Sequence, residues 1–224
     1  MRTIINVIHS IYAFAVFIVL FILLLPFYIL FIQRKSWHPV ALFLNRIWAN
    51  LFFFMTFLPV DQELRFKPQH GKRYIFCPNH TSYMDIPVMG LIPHHFVFVG
   101  KSSIEKVPLF GYMFRKLHIT VDRASLKGRY STYLLASEAI DDGKSLVIFP
   151  EGGIVTKRPP LLGRFKDGAF RIAIEKQIPI IPVTIPFNWI VLPDDARYLL
   201  HWHKVKVIYH EPISTAGMTL DDLD

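Results

Sequence analysis

The distribution of hydrophobic residues divides the chain into two parts of different character. Residues 11–32 are 22 consecutive positions without a charged side chain, whereas after Asp61 the apolar residues occur in short runs between polar and amphipathic segments. As an α-helix, 22 residues extend about 33 Å, close to the hydrocarbon thickness of a bilayer. The pattern predicts a membrane-embedded helical anchor in residues 1–60 and a globular domain in residues 61–224.

A second apolar stretch covers residues 40–58 and contains Arg46 and Asn50 on one helical face, which is typical of a helix at the membrane surface. If both stretches crossed the bilayer, Arg34 and Lys35 would lie opposite the globular domain, against the positive-inside tendency for a cytoplasmic domain. We therefore expect either one span followed by a surface helix, or a hairpin that enters one leaflet.

Two other interpretations of the amino-terminal part are disfavoured. A cleaved signal peptide has a shorter apolar run and small residues at its end, whereas this run ends in Gln33-Arg34-Lys35. A helical hairpin of a soluble protein would need a partner to cover the apolar surface of residues 11–32.

The alternation of short apolar runs and amphipathic segments after Asp61 predicts an α/β fold, with a largely parallel central sheet covered by helices. Chemistry in such sheets tends to lie at the carboxyl ends of the strands. The segment 194–198 is expected to be a loop or short helix, and 219–224 to begin a helix. Predicted strands are 74–77, 96–99, 119–121, 145–149, 180–185 and 204–209, and predicted helices are 83–90, 109–116, 126–142 and 168–176.

Composition narrows the possible partners. With 52% hydrophobic and 19% charged residues the chain is not disordered. The net charge of +8 suits an anionic surface or substrate, such as phospholipid headgroups or a phosphorylated carrier. The chain has no recognised nucleic-acid-binding motif, so nucleic acid is not an expected partner. Cys77 is the single cysteine, so it forms no internal disulfide, and we interpret it as a core residue of a strand rather than a nucleophile.

No His, Cys and carboxylate cluster has the spacing of metal ligands, so no metal is expected. His201 and His203 fit a pair at the edge of a strand.

The clearest candidate for chemistry follows the first predicted strand, which ends at Asn79-His80. Asp85 lies five residues after His80, and in a straight helix the two would be about 140° apart. If His80 instead lies in the strand-to-helix turn, the carboxylate can fold back onto one imidazole nitrogen and leave the other free to take a proton from a hydroxyl. The alternative is that both are ordinary turn and cap residues.

Two other strands end in polar groups. Asp122-Arg123 follows one strand, and an arginine there can bind phosphate in a bidentate manner. Glu151-Gly152-Gly153 follows another, where glycines allow close approach of a ligand and Glu151 could bind an acceptor hydroxyl. A structural ion pair and a plain turn are the alternatives.

These residues resemble the conserved blocks of the glycerolipid acyltransferases, notably the 1-acylglycerol-3-phosphate acyltransferases. Residues 79–85 are similar to the N-H-x4-D block, and the three later blocks follow in order up to residue 183. The resemblance implies that His80 is the general base and Asp85 its orienting partner. It implies a substrate-binding set that consists of Asn79, Lys101, Arg123, Glu151, Gly152, Gly153 and Pro182, with Arg123 and Lys101 on phosphate and Pro182 in the wall of the acyl-donor site.

The resemblance further implies transfer of a fatty acyl group from acyl-CoA or acyl carrier protein to a lyso-lipid hydroxyl, which for 1-acylglycerol-3-phosphate gives phosphatidic acid. No cofactor is expected beyond the thioester co-substrate. Its phosphates or acidic carrier could meet Lys101, Lys106, Arg115 and Lys116, for which a solvated helix face is the alternative. Membrane lipids are expected partners. The expected location is the inner membrane, with the catalytic domain on the cytoplasmic side.

The sequence departs from the family pattern after Glu151-Gly152, where Thr-Arg-Ser usually follows. Here residues 153–156 intervene before Lys157-Arg158. Either Lys157 or Arg158 replaces the usual arginine from a shifted position, or the acceptor is a lyso-aminolipid, another lyso-lipid or a glycerol phosphate. A lipid hydrolase, a non-catalytic lipid-binding protein and, more weakly, a transporter component are the remaining alternatives.

Overall fold

The structure is a computed structural model that describes residues 2–122, 125–195 and 197–223. It begins with helix α1, Arg2–Phe31, which is connected by a short 3-10 turn, Lys35–Trp37, to helix α2, His38–Met55. The two helices pack antiparallel, since Tyr12 donates to the Met55 carbonyl (2.9 Å) and Tyr28 donates to Asn45 (2.7 Å). A helical hairpin therefore precedes the globular part.

The globular part is built on a sheet that has seven strands within the described residues, in the order β1-β7-β6-β2-β5-β3-β4. All neighbouring strands are parallel except β6 and β7, which are antiparallel. The carboxyl ends of β2 to β6 consequently lie at one edge. The strands are β1 Val60–Leu64, β2 Ile75–Pro78, β3 Phe96–Lys101, β4 Ile119–Val121, β5 Ser145–Val147, β6 Ile180–Thr184 and β7 Val205–Tyr209.

Helices cover both faces of the sheet. They are α3 Asp85–Met89, α4 Phe110–Leu117, α5 Leu126–Asp141, α6 Gly168–Glu175 and α7 Asn188–Val191. Strand residues such as Phe76 and Ile181 belong to a core shared with α3 and with the open end of the hairpin, where the first part of α1 lies beside the last part of α2. Their neighbours Ile75 and Ile180 belong to a second core, under α5 and α6, because successive strand residues point to opposite faces. The predicted α/β class with a largely parallel sheet is confirmed.

Two elements were missed by the sequence analysis of hydrophobic patterns, and two predictions, the carboxyl-terminal helix and the histidine pair, need correction. Strand β1 and helix α7 were not predicted, and the proposed domain boundary after residue 60 falls one residue inside β1. Residues Leu220–Leu223 form a 3-10 turn rather than the start of an α-helix, with the Thr219 N–H donating to Asp222 (2.7 Å). His201 and His203 precede β7, so they are not a strand-edge pair.

The hairpin lies along the globular part over most of its length. Near the start of α1, Ser10 accepts the Leu200 N–H (2.7 Å) and Asn6 contacts His201 (2.8 Å). Further along, the rings of Phe21 and Phe110 pack edge to face with centroids 5.6 Å apart. Both halves of α1 are thus attached to the same domain, although the outer face of α1 carries many exposed hydrophobic side chains.

Candidate active site

The strand-to-helix turn after β2 brings His80 and Asp85 together. Nδ1 of His80 lies 3.0 Å from Oδ2 of Asp85, the first residue of α3. The Asp85 side chain has no solvent exposure, and His80 is 9% exposed. Because the carboxylate accepts the proton on Nδ1, Nε2 carries the lone pair that can accept a proton. Nε2 has no protein hydrogen-bond partner within the described part of the chain.

Asp85 is fixed by donors on all sides. Its Oδ2 also accepts the backbone N–H groups of Thr81 (2.8 Å) and Ser82 (2.9 Å), and its Oδ1 accepts the Nδ2 of Asn188 (2.9 Å). Every partner is a donor, which is the pattern an ionised carboxylate requires. The arrangement holds the imidazole in a single orientation and tautomer.

Asn188 is the member of this group that the sequence did not indicate. It lies 103 positions after Asp85, in the short helix α7, and it is completely buried. An asparagine beside a tryptophan in an apolar segment has no motif that predicts contact with a distant carboxylate. Only the path of the chain from β6 into α7 brings it there.

Two further contacts hold His80, one to its imidazole and one to its backbone. Its ring stacks on Phe149, with centroids 4.0 Å apart and an interplanar angle of 24°. Its backbone N–H donates to Oε1 of Glu151 (2.7 Å). The other oxygen of Glu151 accepts the N–H of Gly163 (2.6 Å). We call residues 79–85 the catalytic turn, after the role predicted for His80 and Asp85. The segment that follows β5 supports this turn directly.

These contacts change the interpretation of Glu151. The side chain was expected to bind an acceptor hydroxyl, but the residue is only 1% exposed and both its oxygens accept backbone N–H groups. A buried carboxylate shared by two backbone segments positions them relative to each other. In this structure Glu151 links the catalytic turn to the loop that contains Gly163 through these two hydrogen bonds. Its contact with an acceptor stays a prediction.

The glycines after Glu151 have the backbone freedom that this turn needs. Gly152 has φ of +79° and Gly153 has φ of 152°. A Cβ on Gly152 would lie 2.5 Å from Nζ of Lys166, so the ammonium group rests against the glycine. Lys166 is a second residue that the sequence analysis did not single out. Both glycines lie at the predicted edge of the sheet, and ligand contact by either stays a prediction.

Asn79 and Pro182 have contacts within the protein, and their predicted contacts with substrate stay predictions. The Asn79 amide donates to the Ile185 carbonyl (3.0 Å) and accepts the Ile185 N–H (2.7 Å), so it joins the ends of β2 and β6. Pro182 pairs with Cys77 and lines a cavity beside Phe170 of α6, on the other face of the sheet from α3. The alternation of side chains along β6 explains this position.

The remaining basic candidates are only partly located. Lys101 is exposed at the end of β3, where it pairs with Val121 of β4, and the chain continues through Asp122 to Arg123. Arg123 lies outside the described residues. Lys106, Arg115 and Lys116 are exposed. The predicted contacts of these side chains with phosphate groups or a carrier stay predictions.

Cys77 is a buried core residue, and burial raises the pKa of its thiol to about 12. A thiol of that kind is a poor nucleophile. Within the described residues, no group of three His, Cys, Asp or Glu side chains could hold a metal ion.

Two apolar cavities adjoin the catalytic turn. One, of about 500 Å³, lies between α1 and the segments around Met84 and Leu200. The other, of about 350 Å³, is enclosed by α1, α2 and α4. Phe17, Tyr83 and Pro87 contribute to both, and Tyr83 lies three residues after His80. The hairpin and the catalytic turn thus share apolar space.

Known proteins are similar to this chain over most of its length. A family model described as Acyltransferase matches residues 60–186. The chain is 28% identical to the chloroplastic 1-acyl-sn-glycerol-3-phosphate acyltransferase BAT2 of Brassica napus, over 92% of this chain and 60% of that protein. It is 29% identical to a 1-acyl-sn-glycerol-3-phosphate acyltransferase of Haemophilus influenzae, over 79% of this chain and 72% of that protein.

A solved structure shares the fold. The crystal structure of the 1-acyl-sn-glycerophosphate acyltransferase PlsC from Thermotoga maritima matches with a TM-score of 0.80 at 24% identity, covering 99% of this chain and 90% of that one. The chain spans 60% of the Brassica protein and 54% of the chloroplastic LPAT1 of Arabidopsis thaliana.

Proposed function

Since the chain belongs to the acyltransferase family, we propose that it transfers a fatty acyl group from a thioester to the free hydroxyl of 1-acyl-sn-glycerol-3-phosphate, forming phosphatidic acid. The observation that carries the proposal is the contact of 3.0 Å between His80 and Asp85, with Nε2 left as a proton acceptor. The names of the relatives support the choice of acceptor. The resemblance found in the sequence is confirmed at the level of the family.

In the proposed reaction one base first accepts a proton and later returns it. Nε2 of His80 takes the proton of the acceptor hydroxyl while that oxygen attacks the thioester carbonyl carbon. The carbon–sulfur bond then breaks, and the imidazolium returns the proton to the departing thiolate. Asp85 stabilises the transient imidazolium and keeps its orientation. An ester and a thiol result, and His80 ends as it began.

The thioester donor is acyl-CoA or acyl carrier protein. Both carry negative charge, and the exposed Lys101 and Lys106 follow directly from the edge of the sheet at which His80 lies. Acidic phosphates or an acidic carrier surface would be attracted there. The same charges suit the phosphate of the acceptor.

We further propose that the hairpin is embedded in one leaflet without crossing the membrane. Helix α1 is apolar and long enough to span a bilayer, with a candidate span at residues 3–31. However, Asn6 and Ser10 contact the loop at residues 200–201, and Phe21 contacts α4, so α1 runs beside the domain instead of leaving it. Exposed side chains such as Phe14, Ile22 and Phe27 would face lipid. The inner membrane and its cytoplasmic side are the proposed location.

The proposal is tested with purified protein in mixed micelles, a panel of lyso-lipids and both kinds of thioester, with products identified by mass. The expected product is phosphatidic acid, and His80→Ala should lower turnover by about 10²–10⁴-fold. His70→Ala is the matched control, because His70 is an exposed histidine outside the site.

Three results would contradict the proposal. If His80→Ala kept wild-type turnover, His80 would not be the general base. A lyso-aminolipid acylated in preference to lysophosphatidate would change the acceptor, as the departure after Gly152 allows. Release of free fatty acid without a diacyl product would indicate a hydrolase.

A further inference from the structure

The larger of the two cavities beside the catalytic turn is an open groove along one side of α1. Ala13 and Phe17 form its floor on the helix, and Met84 and Leu200 close it from the domain. We call it the α1 groove. Its volume is about 500 Å³, and nearly all of the side chains that line it are apolar. A ligand in it would be recognised by shape and hydrophobicity.

The hydroxyls of Ser10, in the groove, and of Ser82, next to it, are already used within the protein. The Ser10 hydroxyl donates to the Asn6 carbonyl (2.5 Å) and accepts the Leu200 N–H (2.7 Å). The Ser82 hydroxyl, near its inner end, donates to the Leu192 carbonyl (2.7 Å) and accepts the Met84 N–H (3.0 Å). A polar ligand would find few free hydrogen-bonding groups here, whereas a hydrocarbon chain requires none.

The groove lies between α1 and the residues that follow His80 in the chain. At its outer side lies Phe14, which is 66% exposed on the same helical face as the exposed Ile11 and Ile18. On its domain side lie the half-exposed Tyr83 and the buried Met84, three and four residues after His80. A chain that lies in the bilayer could therefore enter sideways and present its polar end to the imidazole.

The proposed reaction brings two hydrocarbon chains to one site. Transfer of an acyl group to a lyso-lipid joins two hydrocarbon chains on one glycerol, so the site must hold both at the moment of transfer. The α1 groove and the cavity enclosed by α1, α2 and α4 meet at Phe17, Tyr83 and Pro87. The open groove suits the chain that already resides in the membrane, because that chain does not have to leave the lipid phase.

We propose that the α1 groove holds the acyl chain already carried by the lyso-lipid acceptor. This inference rests on the proposed function and adds a binding site for one part of its substrate. The groove makes the enzyme sensitive to the length of the acceptor chain, independently of the length of the transferred chain.

The experiment uses two alanines of α1 that differ in what they face. Ala13 is 3% exposed and lines the groove, so Ala13→Phe fills it. Ala15 is exposed on the same helix, so Ala15→Phe is the matched control. Both variants and wild type are assayed with oleoyl and hexanoyl lysophosphatidate in mixed micelles at a constant mole fraction of lipid, with one donor and then with donors of several lengths.

We expect Ala13→Phe to raise KM for the oleoyl acceptor about tenfold or more, with KM for the hexanoyl acceptor and the preference among donors unchanged. Ala15→Phe should behave as wild type. Because Ala13→Phe places a large ring in a packed region, Phe14→Ala provides a second variant that removes exposed groove surface without overpacking. It should raise KM for the oleoyl acceptor alone, and Ile11→Ala, on an exposed residue outside the groove, should not.

Equal effects on both acceptors in Ala13→Phe and Phe14→Ala would overturn the assignment, and so would a change in donor preference. Wild-type protein that acylates no lysophosphatidate would overturn the proposed function and the assignment together. If the wild-type protein does acylate lysophosphatidate but the expected dependence on acceptor length is missing, only the assignment of the α1 groove is overturned.

Discussion

At the scale of single residues, the distinguishing feature of the site is the number of donors around Asp85. The imidazole, two backbone N–H groups and the Asn188 amide all point at one carboxylate. Asn188 is the only side-chain amide in this set within the described residues. Asn188 donates to Oδ1 of Asp85, whereas His80 contacts Oδ2. We therefore expect Asn188 to fix the rotation of the carboxylate relative to the imidazole ring.

Replacement of Asn188 should therefore affect the chemical step. We expect Asn188→Ala to lower kcat about tenfold with little change in acceptor KM, since a hydrogen bond to a charged group contributes about 1.5–3 kcal/mol. Asn188→Asp should also move the acidic limb of the pH–rate profile to higher pH, because a second carboxylate favours the protonated imidazole. Steady-state kinetics between pH 5 and 9 measures both effects.

A purely structural asparagine would give a different result. In that case both variants would lose folded protein without any shift in the pH profile of the fraction that remains active. Circular dichroism of the same preparations separates loss of folded protein from loss of turnover.

The contacts that the sequence could predict are the local ones. His80 and Asp85 are five positions apart, so the geometry of one turn decides whether they meet. Asn79 and Glu151 were recognised from a family pattern, but their hydrogen bonds run to backbone atoms of Ile185, His80 and Gly163. No pattern of side chains identifies a backbone partner far along the chain, so the supporting contacts of these two residues could not be predicted from the sequence.

At the scale of secondary structure, the elements that the sequence predicted are those with a strong apolar pattern. Helix α6 was predicted at 168–176 and is Gly168–Glu175. Strand β1 was missed because Val60–Leu64 contains two acidic residues and lies at the sheet edge. Its carboxylates form ion pairs with lysines in and just before the neighbouring strand β7, including Asp61 with Lys204 (2.8 Å). The strand is joined to β7 by backbone pairing along its whole length, and a hydrophobicity pattern does not reveal such pairing.

The junction of α4 and β4 contains a histidine that no motif indicated. His118 lies between the rings of Phe114 and Phe98, and its Nδ1 accepts the Phe98 N–H (3.2 Å). Burial lowers the pKa of His118 to about 3. The imidazole is therefore neutral at neutral pH, and protonation would place a charge in an apolar layer under the hairpin.

This burial makes stability depend on pH in a defined window. In the unfolded chain the histidine pKa is about 6.5, so between there and about 3 the unfolded state binds more protons at His118 than the folded state. The free energy of unfolding should fall as the pH falls through that window, by up to about 1.4 kcal/mol per pH unit from this residue. His118→Asn cannot titrate and keeps an oxygen that can accept the Phe98 N–H.

Thermal unfolding in detergent at pH 7 and pH 5 tests this expectation. The decrease of Tm on acidification should be smaller in His118→Asn than in wild type. His70→Asn, which changes an exposed histidine, is the control and should show the wild-type decrease. An equal decrease in all three proteins would mean that other groups determine the acid sensitivity.

At the scale of the whole molecule, hydropathy and packing give different information about α1. The composition of residues 3–31 satisfies the test for a membrane span. The sequence left two arrangements open, a span with a surface helix and a hairpin in one leaflet. Contacts of α1 with Leu200 near its start and with Phe110 further on supply the information that composition lacked, because a helix attached at both positions cannot extend away from the domain.

The position of the two helix ends relative to the membrane is therefore a direct test of the proposed hairpin. Cys77 is the natural cysteine, and burial raises its pKa to about 12, so it should react little with a maleimide. Single cysteines at Thr3, before most of α1, and at Lys35, in the turn after it, are both exposed positions. Lys127→Cys, exposed on the globular part, reports the side on which the domain lies.

We expect a membrane-impermeant maleimide to label Thr3→Cys, Lys35→Cys and Lys127→Cys from the same side in sealed vesicles of known orientation. A single crossing by α1 would place Thr3 opposite Lys127. Two crossings would place Lys35 opposite Lys127 while Thr3 stayed on its side. Each alternative thus has its own labelling pattern, and only the hairpin in one leaflet puts all three positions together, where a soluble thioester and a membrane-bound acceptor can both reach His80.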